Sequence, residues 1–244
     1  MNQIYEERLG TDRMLPLIFR MALPAIVAQM VNLLYNIVDR IYIGHIPGIG
    51  TPALAGIGVA GSIIILISAF SSIVAGGGAP LAAIALGQGN RQQAGKILGN
   101  GFILLLIFTV LTSTLAYIFM KPILLFTGAS EQTLGYATDY LSIYLISTLF
   151  VEISVGLNTF INTQGRPGIA MWSVMIGAFL NIMLDPLFIF GFNMGVKGAA
   201  LATIISQAGS AIWVLSFLTS SRASLRLENQ YMKPDRYAIG ATLD

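Results

Sequence analysis

Cysteine is absent and histidine occurs once, at His45. Disulfide scaffolds and thiolate zinc, haem-thiolate or iron–sulfur centres are thereby excluded, and a multi-histidine metal site with them. Charge is scarce as well. Asp, Glu, Lys and Arg make up 10% of the 244 residues, against about 25% in an average soluble domain. The net charge of +2 does not supply the clustered basic surface that phosphate recognition needs, so no nucleic-acid partner is expected. Chemical motifs are missing too. Gly76-Gly77-Gly78 and Gly87-Gln88-Gly89 lead into no Gly-Lys-Ser/Thr and read as packing glycines and a turn. No Gly-x-Ser-x-Gly, His-Glu-x-x-His or aspartate-rich diphosphate motif occurs, so the chain reads as a non-enzyme without a cofactor.

What is present is apolar: 55% of the chain is hydrophobic. A helix needs about 20 mainly apolar residues to cross the hydrocarbon of a bilayer. Six windows meet that length, at about 16–44, 53–86, 95–120, 134–164, 168–191 and 196–220. Between them stand turn signals: Pro47-Gly48-Ile49-Gly50, Gly87 to Asn90, Lys121-Pro122, Gly165 to Gly168 and Gly191 to Gly195. The glycine triplet and Pro80 predict a kink in the second window. Strands of a membrane barrel would be about 10 residues long with alternating polarity, unlike these. The fold class expected is an all-α membrane protein built as a six-helix bundle.

The polar start, with Glu6, Glu7 and Asp12, leads into an apolar run too long for a signal peptide, so the first span is expected to be retained. Orientation follows from the basic residues. With the N-terminus inside, Arg8, Arg13, Arg20, Arg91, Lys96, Arg166, Arg222, Arg226, Lys233 and Arg236 fall on the cytoplasmic side, and Arg40, Lys121 and Lys197 outside. This places both termini in the cytosol of a multi-pass protein of the cell membrane, with lipid as its surroundings. Residues 221–244 turn polar and read as a solvated cytoplasmic connector or tail. His45 is expected to be solvated at the outer interface.

Charged groups within spans are costly and so informative. Gln29, Asn32, Asn36 and Asp39 recur at three- and four-residue steps on one face of the first span. Lipid does not tolerate such a face, which predicts an interior or a watery cavity. On the fifth span Asn181 and Asp185 are four apart, and Pro186 frees the carbonyl of Ile182. Oxygens gathered in this way suit a hard cation or a proton, and Thr203 on the sixth span is a candidate further donor. Thr203, Ser206, Gln207 and Ser210 share one side of that span. Glu152 shares its span with Asn158, Thr159 and Asn162; functional and structural roles both stay open for it. Pro24 and Pro186 are candidate hinges.

Three stretches carry a resemblance. "NIVDRIYIG" (residues 36–44), "ALGQGNRQQAGK" (85–96) and "NTQGRPGIAMWSVMIGAFLNIMLDPLFIFGFNMGVKGAALATIISQ" (162–207) stand in order and resemble the first half of the multidrug and toxic compound extrusion (MATE) family. The resemblance implies an antiporter exporting organic, often cationic, drugs against Na⁺ or H⁺. It implies an amino-terminal lobe whose cation or proton site matches Asp39, Asn181, Asp185 and Thr203, with Gln29, Asn32, Asn36, Glu152 and Gln207 as candidate cavity-lining residues. Members have twelve spans in two lobes, so the expected partner is a missing carboxy-terminal lobe, the chain being half of a transporter. The alternatives weighed are a lipid-linked saccharide flippase of the same superfamily, a non-transporting half-protein and a homodimer of lobes.

Overall fold

The structure is a computed structural model that describes residues 14–243; residues 1–13, with Arg8 and Arg13, lie outside the described residues. Among the described residues there are helices and no strands. Long helices are α1 (Met14–Gly44), α2 (Gly50–Gly87), α3 (Arg91–Ile118), α5 (Glu131–Thr163), α6 (Pro167–Gly191) and α7 (Val196–Thr219). Each is long and apolar enough to cross a membrane. Short helices α4 (Met120–Phe126) and α8 (Arg236–Leu243) complete the chain.

Helices α3 and α5 start earlier than their apolar windows because polar caps begin the hydrogen bonding before the hydrocarbon is reached. Asn90 caps α3, its side chain accepting from Gln93 N at 3.0 Å. Ser130 and Thr133 form a reciprocal capping box at the start of α5. Lys121 and Pro122, read as a turn, instead lie inside α4, and the chain breaks two residues before Lys121, at Phe119.

The α1–α2 turn is tight. A Cβ at Gly50 would lie 2.0 Å from the carbonyl oxygen of Gly44, so only glycine lets α2 begin directly beneath the end of α1. The expected kink in α2 takes the form of a π segment, Val74–Gly78, ahead of Pro80. Proline has no N–H to return to the carbonyl of Gly76, and the preceding turn widens.

Helix α5 is the axis of the bundle and packs against α2, α3 and α7. Two apolar clusters meet along it. Leu141, Leu145 and Val151 join Ile63 and Ile67 of α2 in one. Ile153, Leu157, Phe160 and Ile161 join Val74 of α2 and Leu98 and Leu105 of α3 in the other. Alanine and glycine fill the close contacts, as expected where helices associate by packing rather than by expelling water. Helix α1 packs on α6, while Leu23, Ile26, Met30, Leu33 and Ile37 stay exposed.

Residues 221–243 correct the expectation of a solvated tail. Ala223, Leu225, Leu227, Ala238 and Thr242 are buried. Gln164 Oε1 accepts from the backbone N–H groups of Ser224 at 2.9 Å and Leu225 at 3.1 Å. Asn100 donates to the carbonyls of Tyr231 and Lys233 and accepts from Asp235 N at 2.9 Å, and Lys96 meets Asp235 at 2.9 Å. Helix α8 lies on the π segment so closely that a Cβ at Gly77 would fall 2.2 Å from the Thr242 carbonyl oxygen. Small glycines on α2 and α3 open the groove that this strap fills, which its polar composition conceals.

Candidate ion and substrate site

The amide stripe of α1 is wired along its helix. Asn36 donates to the Asn32 carbonyl at 2.7 Å and to its Oδ1 at 3.1 Å, and Asn32 donates to Gln29 Oε1 at 3.4 Å. At the far end of the stripe Asp39 reaches across to Asp185 of α6, and the two carboxyl groups face each other. Asp185 is 0% exposed and Asn181, one turn before it, 2%. Asn181 Nδ2 donates to Asp185 Oδ1 at 3.2 Å.

Three oxygens in this cluster are buried without a hydrogen-bond partner: Asp39 Oδ1, Asp185 Oδ2 and Asn181 Oδ1. Two facing carboxylates cannot satisfy one another, since both only accept. The charge and the lone pairs call for a hard cation or a shared proton between them. Thr203 of α7 donates its hydroxyl proton to Ala199 O at 3.0 Å, a bond that leaves its oxygen lone pairs unused. Tyr140 of α5 neighbours Thr203 and both carboxyl groups. The structure thus brings Asp39, Asn181 and Asp185 together, and Tyr140 connects Thr203 of α7 to them. Arg40, next to Asp39 on the helix, is exposed.

A cleft of about 350 Å³ opens beside this cluster, between α1, α5, α6 and α7. Its walls carry Gln29, Asn32, Ser154, Asn158, Thr159, Asn162, Ser173, Gln207 and Ser210, with Met171, Val155 and Val174 as apolar panels. None of its lining residues is charged. Ser154 donates to Gln207 Oε1 at 3.3 Å, and Asn158 donates to the Ala170 carbonyl at 3.1 Å, leaving its Oδ1 without a partner. Tyr35 of α1 lines the cleft and neighbours both Gln207 and Asp39, so it forms the wall between the cleft and the oxygen cluster.

Of the residues expected to line a cavity, Gln29, Asn32 and Gln207 do so. Asn36 and Glu152 do not. The side chain of Asn36 folds back on the α1 backbone, and Glu152 is buried at 1% exposure against Ser71 of α2. Sequence reasoning passed over Tyr35 and Tyr140, although Tyr35 lies three residues after Asn32 and four before Asp39, on the same stripe. Asn158, Thr159 and Asn162, on the same helix as Glu152, line the cleft while Glu152 does not. Pro24 sits inside an unbroken α1, while Pro186 ends the regular part of α6 and opens a second π segment, Leu187–Gly191.

Comparison with known proteins follows the same outline. The MatE family model matches residues 24–187. The multidrug export protein MepA of Staphylococcus haemolyticus is 26% identical over 215 residues, covering 88% of this chain and 47% of that protein. An FAD transporter of Shewanella oneidensis is 29% identical over 194 residues, covering 78% of this chain and 42% of its own. A solved structure described as the outward-facing conformation of a multidrug resistance MATE family transporter superposes with a TM-score of 0.85 at 24% identity, over 93% of this chain and 50% of that one. The six-helix bundle is thus the fold of one half of that structure. The chain spans about half the length of the curated relatives it matches.

Proposed function

This chain belongs to the MatE family, and from that premise we propose that it is the amino-terminal lobe of a secondary transporter exporting organic, often cationic, compounds by antiport with Na⁺ or H⁺. One observation carries the reading. Three partnerless buried oxygens, from Asp39, Asn181 and Asp185, converge beside an uncharged hydrogen-bonding cleft. The cluster holds the coupling ion, with Thr203 as a further oxygen donor, and the cleft holds the cargo. A lining of amides, hydroxyls and a few apolar side chains offers hydrogen bonds and contact area rather than charge. That tolerance is in keeping with relatives called a multidrug export protein and an FAD transporter.

The mechanism is alternating access by rocking against a second lobe, with Pro24 and Pro186 as hinge candidates. Asp39 stands on α1 and Asn181 and Asp185 on α6, so an ion between them draws the two helices together. Tyr35, on the wall shared with the cleft, moves with α1. An ion that prefers the drawn-in arrangement shifts the lobe toward it; equal affinity for both arrangements would shift nothing. The protein lies in the cell membrane with both termini cytoplasmic, as the basic residues direct. A lipid-linked pyrophosphate cargo would call for Lys or Arg in the cleft, and its lining has neither.

The test is export of a fluorescent cationic dye in a two-lobe context, with and without Na⁺. Asp39→Asn and Asp185→Asn should each abolish ion-coupled export while membrane insertion is retained. Unchanged export by both variants overturns the assignment.

A further inference from the structure

Glu152 is a buried carboxyl group that the transport reading leaves unused. It is 1% exposed, midway along α5, and neither of its oxygens has a hydrogen-bond partner. Its position is defined by the packing: the two apolar clusters of the lobe meet between Val151 and Ile153 on α5 and between Ile67 and Val74 on α2. Glu152 and Ser71 face each other at that seam, and Ser71 is 0% exposed. The Ser71 hydroxyl donates to the Ser68 carbonyl at 2.8 Å, and its oxygen keeps lone pairs that can accept from a protonated Glu152. An ionised carboxylate with no donor and no cation is among the most costly groups a protein interior can hold. Retention of one here, where Gln or Leu would fill the space, points to a use.

The neighbourhood narrows that use to a proton. Among the described residues, the titratable groups in range of Glu152 are Tyr144 on its own helix and, next to Tyr144, Tyr35 of α1. Helix α2 contributes Ser71, and α3 contributes Ser113, which pairs with Thr148 at 2.7 Å. None is basic, and no second carboxylate is near enough to chelate a metal ion. Tyr140, Tyr144, Thr148 and Glu152 follow one another at four-residue steps on one face of α5. The rings of Tyr140 and Tyr144 stack with centroids 5.7 Å apart, and Tyr140 stands beside Asp39, Asp185 and Thr203. Hydroxyl-bearing side chains on one face of α5 thus lie between the seam and the oxygen cluster. One turn beyond Ser71 the regular α2 helix gives way to the π segment Val74–Gly78, a widened turn of the kind often found at functional positions.

We propose that Glu152 is a second protonation site of the lobe, binding one proton in the seam between α2 and α5, apart from the Asp39–Asp185 cluster. Binding forms a single O–H bond at a Glu152 oxygen with a proton taken from water. Release breaks that bond and returns the proton to water when the seam at the π segment opens, so no other reactant is consumed. The site lies on the same face of α5 as Tyr140 and extends the reading of an ion-coupled lobe.

Infrared difference spectroscopy of the purified 244-residue chain in lipid, recorded between acid and alkaline buffer, tests this directly. A protonated carboxyl group gives a C=O stretch that changes with pH and shifts in D₂O. The expected result is such a band in the wild type, kept when Asp39 and Asp185 are both replaced by Asn, and lost in Glu152→Gln. Identical carboxyl bands in the wild type and Glu152→Gln overturn the proposal. Should Glu152→Gln fail to fold by circular dichroism, Ser71→Ala decides: the band must move, and an unmoved band overturns the proposal. Because the Asp39 and Asp185 variants report separately, failure of the antiport reading is distinguishable from failure of this one.

Discussion

Gly177 of α6 and Ser210 of α7 approach so closely that a Cβ on Gly177 would fall 2.3 Å from the Ser210 hydroxyl oxygen. Both residues line the cleft, and Ser210 donates across the same contact to the Ser173 carbonyl at 2.8 Å. Gly177→Ala should therefore push α6 from α7 and lower stability by about 1–3 kcal/mol, the usual range for overpacking. Adding Ser210→Ala removes the clashing oxygen and should recover much of the loss. Thermal unfolding of the single and double variants in detergent checks both; a double variant no better than the single would refute the contact.

Asn181 donates to Asp185, through Nδ2 to Oδ1 at 3.2 Å. If the cluster binds Na⁺, the cation stabilises the folded lobe by about 2.7 kcal/mol at a hundred times its Kd. Unfolding in NaCl and in choline chloride of equal ionic strength should differ for the wild type. The difference should vanish in Asp39→Asn and Asp185→Asn and shrink in Asn181→Ala. A wild type indifferent to Na⁺ would leave the proton as the coupling ion.

Gln164 is 1% exposed and is held by Phe160 O at 3.0 Å while it accepts two strap N–H groups. Gln164→Ala orphans the amides of Ser224 and Leu225, at about 1–3 kcal/mol for each buried donor left unmade. Hydrogen exchange at those two amides should accelerate, and proteases should nick the strap sooner. Unaltered exchange would mean that the strap is held elsewhere.

Lys96 and Asn100 give a contrast one helical turn apart. The Lys96–Asp235 pair is partly exposed, at 43% and 26% of its side chains, and Lys96→Met should change stability by less than about 1 kcal/mol, the usual ceiling for such pairs. Asn100, 1% exposed, serves three backbone groups of the strap. Asn100→Ala should cost several times more and loosen α8 from the π segment. Equal effects of the two substitutions, by denaturation in detergent, would contradict this ranking.

The sites were legible wherever one helix carried the whole signal. Asp39 was visible as the end of a stripe, and Asn181 and Asp185 as an i, i+4 pair, because a 3.6-residue period maps sequence spacing onto a face. Tyr35 and Tyr140 were not, since an aromatic at helical spacing reads the same whether it walls a cleft or fills a core. Asn36 and Glu152 show the opposite failure. Each has the right polarity and period, but Asn36 closes on its own helix through Asn32, and Glu152 turns toward Ser71 of α2, a neighbour far off in sequence.

By itself the sequence determined that six apolar helices must bury their backbone polar groups internally, where most of the turns fall, and which few polar side chains cannot face lipid. Those follow from local hydrogen bonding and the cost of polarity in hydrocarbon, which each segment meets alone. Tertiary structure decided that Asp39 meets Asp185, that Tyr35 divides the oxygen cluster from the cleft, and that Glu152 is sealed between two apolar clusters. It also decided that the polar strap of residues 221–243 is packed rather than solvated, because the groove that receives it is made of glycines on α2 and α3. Such pairings depend on how closely helices approach and at what rotation, and those quantities are set by small residues on facing surfaces rather than by the pattern along any one helix.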